Sequence, residues 1–99
     1  MNVGIVKDAI YMEHITDSFH PENPDRLRAI YGRLEAMDQA GLVYVAARAA
    51  TDEEIALNHD PAYVSFVRET KGKEHRRLDP DTVTSARSYE AACVAAGGF

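Results

Sequence analysis

The stretch Phe19-His20-Pro21-Glu22-Asn23-Pro24-Asp25-Arg26-Leu27-Arg28-Ala29-Ile30 constrains this chain more than any other, because two closely spaced prolines leave its backbone few conformations. Pro21 and Pro24 fix their own φ and push His20 and Asn23 towards extended geometry. Asn23 suits an N-cap and Pro24 the first helical position, where a missing N–H costs nothing, while Asp25 adds favourable charge to the first turn. A helix is therefore expected from Pro24. Leu27, Ile30, Tyr31, Leu34 and Met37 recur at helical spacing, and Gly41 is placed as the C′ residue, so the helix is read over about 24–40. A rigid loop carrying His20, Glu22 and Arg26 thus runs into an anchored helix.

On either side of that helix lie two short β-rich runs, Asn2–Val6 and Leu42–Ala46. Strand, helix, strand in this order predicts one βαβ unit with parallel strands. Ligands of open α/β sheets gather beyond the strand C-terminal ends, where the His20 loop begins. Between the first strand and the loop, Ala9–Ser18 has no clean period, and Tyr11, Met12 and Ile15 are expected to tuck against the core. The second half reads as helices. Thr51-Asp52-Glu53-Glu54 is a capping box that opens a short helix through Ile55 and Leu57, and Asp60-Pro61 caps another running to about Thr70. Lys71–Arg77 is charged and aperiodic, hence read as a surface loop. From about Thr84 a helix is expected with Ala86, Tyr89, Cys93 and Ala96 on its apolar stripe, stopped by Gly97-Gly98.

With 45% hydrophobic and 27% charged residues, the composition is that of an ordinary globular chain, and no apolar run approaches membrane-spanning length. Met1–Val6 is too short for the apolar core of a signal peptide, and Lys7-Asp8 interrupts it, so a cytoplasmic location without membrane contact is expected. A net charge of −5 opposes direct nucleic-acid binding, which needs surplus Lys and Arg against phosphates. One cysteine excludes an internal disulfide or a multi-cysteine zinc site, and Cys93 on an apolar stripe reads as a small core residue.

Chemistry-bearing residues are scattered. His14, His20 and His59 lack the spacing of a zinc site. Asp79, Asp81 and Thr82 read as turn and capping residues rather than a metal or phosphate loop. Gly97-Gly98 follows no strand and is no dinucleotide fingerprint. Glu22 reads as a solvated or cap-region charge, and Lys71, Lys73, His75, Arg76 and Arg77 as a solvated basic cluster.

The run His20-Pro21-Glu22-Asn23-Pro24-Asp25-Arg26-Leu27-Arg28-Ala29-Ile30 resembles the N-terminal signature of the histone deacetylase family, whose bacterial relatives act on acetoin utilisation or acetylpolyamines. Leu78–Ser85, Ser88–Ala92 and Ala95–Gly98 are similar to the segment that precedes that family's catalytic core. The two anchors stand in the right order and cover most of the chain. Asp17 departs from the pattern, since bacterial relatives often carry Gly before the His-Pro pair; the departure falls on the local turn.

This resemblance implies an α/β, arginase/deacetylase-like three-layer fold, of which residues 1–99 would be a single N-terminal βαβ-plus-helices segment, helix-rich in isolation. It implies a zinc-dependent hydrolase that removes acetyl groups from acetylated amines. The family's zinc ligands, two Asp and one His, and its catalytic His pair and Tyr would lie beyond Phe99. For this chain the expectation is no cofactor, no metal ligand and no catalytic residue. The His20–Glu22 loop is implied to border the substrate entrance, with Lys71–Arg77 in a variable second rim loop. Arg26, matching the family's Pro-x-Arg element, is implied to line the internal cavity near the acetyl-binding tunnel, where a guanidinium can hold released acetate bidentately. On the residues alone, Arg26 pairs with Glu22 or Asp25 at the helix surface.

Three functions remain: the N-terminal portion of such a hydrolase, inactive by itself; a stand-alone interaction or assembly module without catalysis; and a small enzyme using His20 and Glu22 as acid and base. Self-association is expected in addition, because sheet edges and the last helix would lack cover, with residues after about Thr84 contacting another copy.

Overall fold

The computed structural model describes residues 2–98. Strand β1 (Val3–Val6) pairs in parallel with β2 (Leu42–Val45), matching Val3 to Leu42 and Val6 to Val45, and α1 (Pro24–Ala36) forms the crossover. The expected βαβ unit is therefore present. Asn23 caps α1 by accepting from the N–H of Asp25 at 2.9 Å, with Pro24 at the first turn.

Helix α1 ends four residues before the expected Ala40, and Gly41 is not its C′ residue. The Gln39 side chain ends it, donating to the carbonyls of Leu34 and Met37 at 2.7 and 2.8 Å. Gly41 instead takes a φ of 82° at the turn into β2, where its carbonyl accepts from Val3 N–H at 2.7 Å and starts the parallel ladder.

The aperiodic Ala9–Ser18 opens with a 3₁₀ helix, Ala9–Glu13, capped by Asp8 and packed between α1 and the C-terminal helix. Tyr11 Oη donates to the Val94 carbonyl at 3.3 Å, and Tyr31 Oη on α1 to that of Asp8 at 3.2 Å. The capping box forms as read: Thr51 Oγ1 accepts from Glu54 N–H and Glu54 returns to the Thr51 N–H, opening α2 (Asp52–Ile55). Asp60 and Pro61 open α3 (Pro61–Arg68), with Asp60 accepting from Ala62 N–H at 2.8 Å.

The segment read as a charged loop contributes to an antiparallel hairpin, β3 (Arg76–Asp79) with β4 (Thr82–Thr84). Arg-Arg-Leu-Asp carries no alternation to announce a strand; the Asp79 carboxylate makes the turn by accepting from Asp81 N–H at 2.8 Å.

Helix α4 (Ser88–Gly97) starts four residues later than expected, and its buried positions are Ser88, Ala91 and Cys93 rather than the Ala86, Tyr89, Cys93, Ala96 stripe; Ala96 is exposed. The 3₁₀ helix and the 48–50 segment approach it from a different side than one stripe anticipates. Gly97 belongs to the helix, and its role is close approach: a Cβ there would lie 1.9 Å from the Arg48 carbonyl oxygen and 2.7 Å from Ala50 N. Ala50 N–H donates to the Cys93 carbonyl at 2.8 Å along the same contact.

The buried apolar side chains among the described residues are Val64 on α3, Val83 on β4, and Ala91 and Cys93 on α4. The accessible surface is 6959 Å², against about 5,600 Å² for a self-contained globular protein of this mass. The radius of gyration is 15.0 Å, where about 12.6 Å is usual for this length. The molecule is a slab of 43 × 34 × 19 Å. Among the described residues, no helix is long and apolar enough to cross a membrane.

Candidate functional site: a two-loop rim

The loop 14–23 leaves the 3₁₀ helix and crosses the β3–β4 hairpin before entering α1. His20 Nδ1 accepts from the Glu22 N–H at 3.0 Å and so carries no proton there. The proton on Nε2 points at Asp81, with the carbonyl oxygen at 3.1 Å and Oδ1 at 3.3 Å. Asn23 Nδ2 donates to the His20 carbonyl at 2.7 Å, and the Thr16 hydroxyl to that of Glu22. The loop is closed on itself by its own polar groups.

Phe19 stands out within it. Its φ is 64°, a left-handed conformation that costs a bulky residue free energy, and its ring is fully exposed. His20 beside it is largely covered, with 16% of its side chain accessible. The Asp81 partner of His20 was not visible in the sequence, because it depends on the hairpin lying across the loop.

Glu22 and Arg26 form a pair, Arg26 Nη1 to Glu22 Oε2 at 2.8 Å, with both side chains about half exposed or more. His20 and Glu22 do not face each other as acid and base: both imidazole nitrogens are engaged, and the carboxylate lies on Arg26.

Behind the rim, His14 joins the loop to α4. Its Nδ1 lies 2.6 Å from Ser88 Oγ, which also accepts from Ser85 N–H at 2.7 Å; Ser85 Oγ in turn accepts from Ile15 N–H and donates to the Glu13 carbonyl, each at 2.9 Å. Desolvation lowers the His14 pKa from its usual value, opposed by Glu22 and aided by His20. Thr84 Oγ1, next in the chain, is buried without a hydrogen-bond partner among the described residues. It borders a cavity of about 290 Å³ lined by His14, Val83, Ser88, Tyr89 and Ala92.

Among the described residues no three of His, Cys, Asp and Glu come together to hold a metal ion. His14 is on Ser88, His20 on Asp81 and His75 on Asp17, while His59 stacks on Tyr63 with centroids 6.1 Å apart. This donor set does not fit a catalytic zinc.

Comparison with known proteins places the chain in a family. A sequence model of the histone deacetylase domain matches residues 20–99, from the rim histidine onward. The chain belongs to the histone deacetylase domain family. Human polyamine deacetylase HDAC10 is 48% identical over 59 residues, covering 54% of this chain and 8% of that protein. Histone deacetylase 5 of Arabidopsis thaliana is 32% identical over 105 residues, covering 96% of this chain and 16% of that protein. The crystal structure of the HDA15 HD domain superposes with a TM-score of 0.86 at 29% identity, over 97% of this chain and 29% of that one. The mixed α/β architecture is thus that of the arginase/deacetylase superfamily. The chain spans less than a third of each of these relatives.

Proposed function

We propose that this chain is the N-terminal portion of a deacetylase-family hydrolase acting on acetylated amines, in which it builds the substrate entrance and is inactive by itself. The observation that carries this reading is the rim: the proline-stiffened stretch from His20 to Pro24, bonded through His20 to a hairpin, both inside the residues that match the family. In this reading His20 and Glu22 border the entrance without taking part in bond making, and zinc is held by residues outside this chain.

Arg26 lines the internal cavity and binds released acetate. Within this chain Arg26 pairs with Glu22 at the helix surface, so the cavity role rests on the match of Pro24-Asp25-Arg26 to the family's Pro-x-Arg element. In a complete deacetylase domain carrying this segment, Arg26→Ala should lower turnover far more than it lowers the melting temperature, because an exposed pair is worth only about 0–1 kcal/mol. Unchanged turnover with normal folding would leave Arg26 a surface residue.

The 99-residue chain alone should neither deacetylate nor bind zinc stoichiometrically below micromolar concentrations at neutral pH. Calorimetric titration decides the second point, and tight one-to-one binding would overturn the reading.

A second reading, a self-associating module, draws on the surface area. The excess of about 1,300 Å² over a self-contained protein exceeds the ~800 Å² each partner buries in a standard interface. A homodimer covering α4 or an edge of the β1–β2 sheet would remove it. Light scattering over a dilution series tests this, a monomer at tens of micromolar being the outcome against it.

A further inference from the structure

The hairpin is unevenly anchored. Strand β4 buries Val83 and Thr84, whereas β3 is exposed except for a half-buried Leu78, and among the described residues the two strands pair with no other strand. What fixes β3 and its turn against the rest of the molecule is polar.

Asp17 lies at the centre of that fixation. Its Oδ1 accepts from His75 Nε2 at 3.0 Å and its Oδ2 from Arg77 Nη2 at 2.6 Å, so each carboxylate oxygen grips a different residue of the hairpin arm. Its backbone carbonyl accepts from the His20 N–H at 3.1 Å. One residue therefore ties the β3 arm to the backbone of the rim histidine. Arg77 also donates to the Pro80 carbonyl at 3.0 Å, which carries the grip into the hairpin turn. The second crossing, His20 to Asp81, lies at the far side of that turn. Two attachments spaced along the hairpin prevent it from pivoting about either. The hydrogen bonds from His75 and then Arg77 hold the Asp17 carboxyl below its usual pKa, so it stays ionised through the neutral range.

We propose that Asp17 is a positioning residue that locks the two rim loops into one unit and so sets the width of the entrance for the part of an acetylated amine that lies beyond its acetyl group. This deepens the deacetylase reading of the same rim and rests on it for the role in substrate choice; the lock itself does not. An Asn at this position keeps the shape but loses the charge that binds Arg77, and a Gly removes the bridge altogether.

The test has two arms. In the 99-residue chain, amide hydrogen exchange is measured for native, Asp17→Asn, Arg77→Asp and the charge-swapped Asp17→Arg/Arg77→Asp protein. Asp17→Asn should speed exchange about fivefold in both 18–22 and 76–82 while β1 and α1 are unchanged, and the swap should restore much of the protection. Exchange unchanged in the hairpin, or a swap no better than Arg77→Asp alone in a folded chain, overturns the lock. In a complete deacetylase domain carrying this segment, Asp17→Asn should raise KM severalfold for a long acetylated amine at constant kcat and leave a minimal acetylated amine unaffected. An equal loss on both substrates overturns the role in substrate choice. Absence of deacetylation with native Asp17 refutes the deacetylase reading instead, and the exchange arm still decides the lock.

Discussion

Where the loop 14–22 meets the hairpin and the start of α4, polar groups find partners far away in sequence: Asp17 with His75 and Arg77, His20 with Asp81, His14 with Ser88, Ile15 N–H with Ser85. The sheet of β1 and β2 is the reverse. Its ladder is complete, yet Val3, Val43, Tyr44 and Val45 are 44–50% exposed, and Ile30 on α1 and Met37 just past its end are similarly open. Polar pairing is largely satisfied within these residues and apolar cover is not. The two are satisfied on different scales. A hydrogen bond needs one correctly placed partner, whereas burying a side chain takes contact on every side, and a thin slab runs out of neighbours. Thr84 Oγ1, buried without a hydrogen-bond partner among the described residues, marks where the polar seam itself gives out.

The contrast breaks most readily at the C-terminal helix. Gly97→Ala should cost about 3 kcal/mol, at the upper end for overpacking, because its Cβ meets the backbone at Arg48 and Ala50 rather than a side chain that could swing away. Urea denaturation measures the loss, and faster alkylation of the buried Cys93 would report α4 lifting from the 48–50 segment.

Next in size, Ser88→Ala should destabilise by about 1–3 kcal/mol, since the buried Ser85 N–H loses its acceptor and His14 its hydroxyl. Thermal melting provides the check; a loss no larger than that of an exposed serine would show the seam to be redundant.

His14 sharpens the comparison through pH. With its folded pKa below the usual 6.5, the unfolded chain takes up a proton as pH falls below about 6.5 while the folded chain does not. Stability should therefore decline with acid until the folded value is passed, and His14→Gln should flatten that decline. Glu54 acts in a lower window. Arg48 and the Thr51 backbone hold its carboxyl at about 2 instead of 4.5, so its contribution is present above 4.5 and disappears as pH drops towards 2. Glu54→Gln should remove that dependence alone.

The smallest effect belongs to the open sheet face. Val43→Lys should change unfolding free energy by no more than about 0.5 kcal/mol, because half of that side chain is already in water, while it suppresses any association through the sheet. A large loss would mean that the face is packed in solution.

Much was legible in the chain order itself. The caps at Asn23, Thr51 and Asp60, the prolines at first-turn positions, the parallel βαβ unit and the family-like runs at both ends all depend on residues a few places apart, or on the order of elements. Such signals act through local sterics and hydrogen bonds, and they hold wherever the segment ends up. The hairpin, the buried face of α4, the role of Gly97 and the Asp17 bridge were not legible, because each is decided by partners far away in the chain or by a neighbouring strand. Arg76–Asp79 has no apolar alternation, so only pairing with Thr82–Thr84 makes it a strand. Alanines on every side of α4 leave its buried face unspecified until the 3₁₀ helix and the 48–50 segment dock against it. A carboxylate such as Asp17 reads as a solvated charge until tertiary structure brings an imidazole and a guanidinium to its two oxygens.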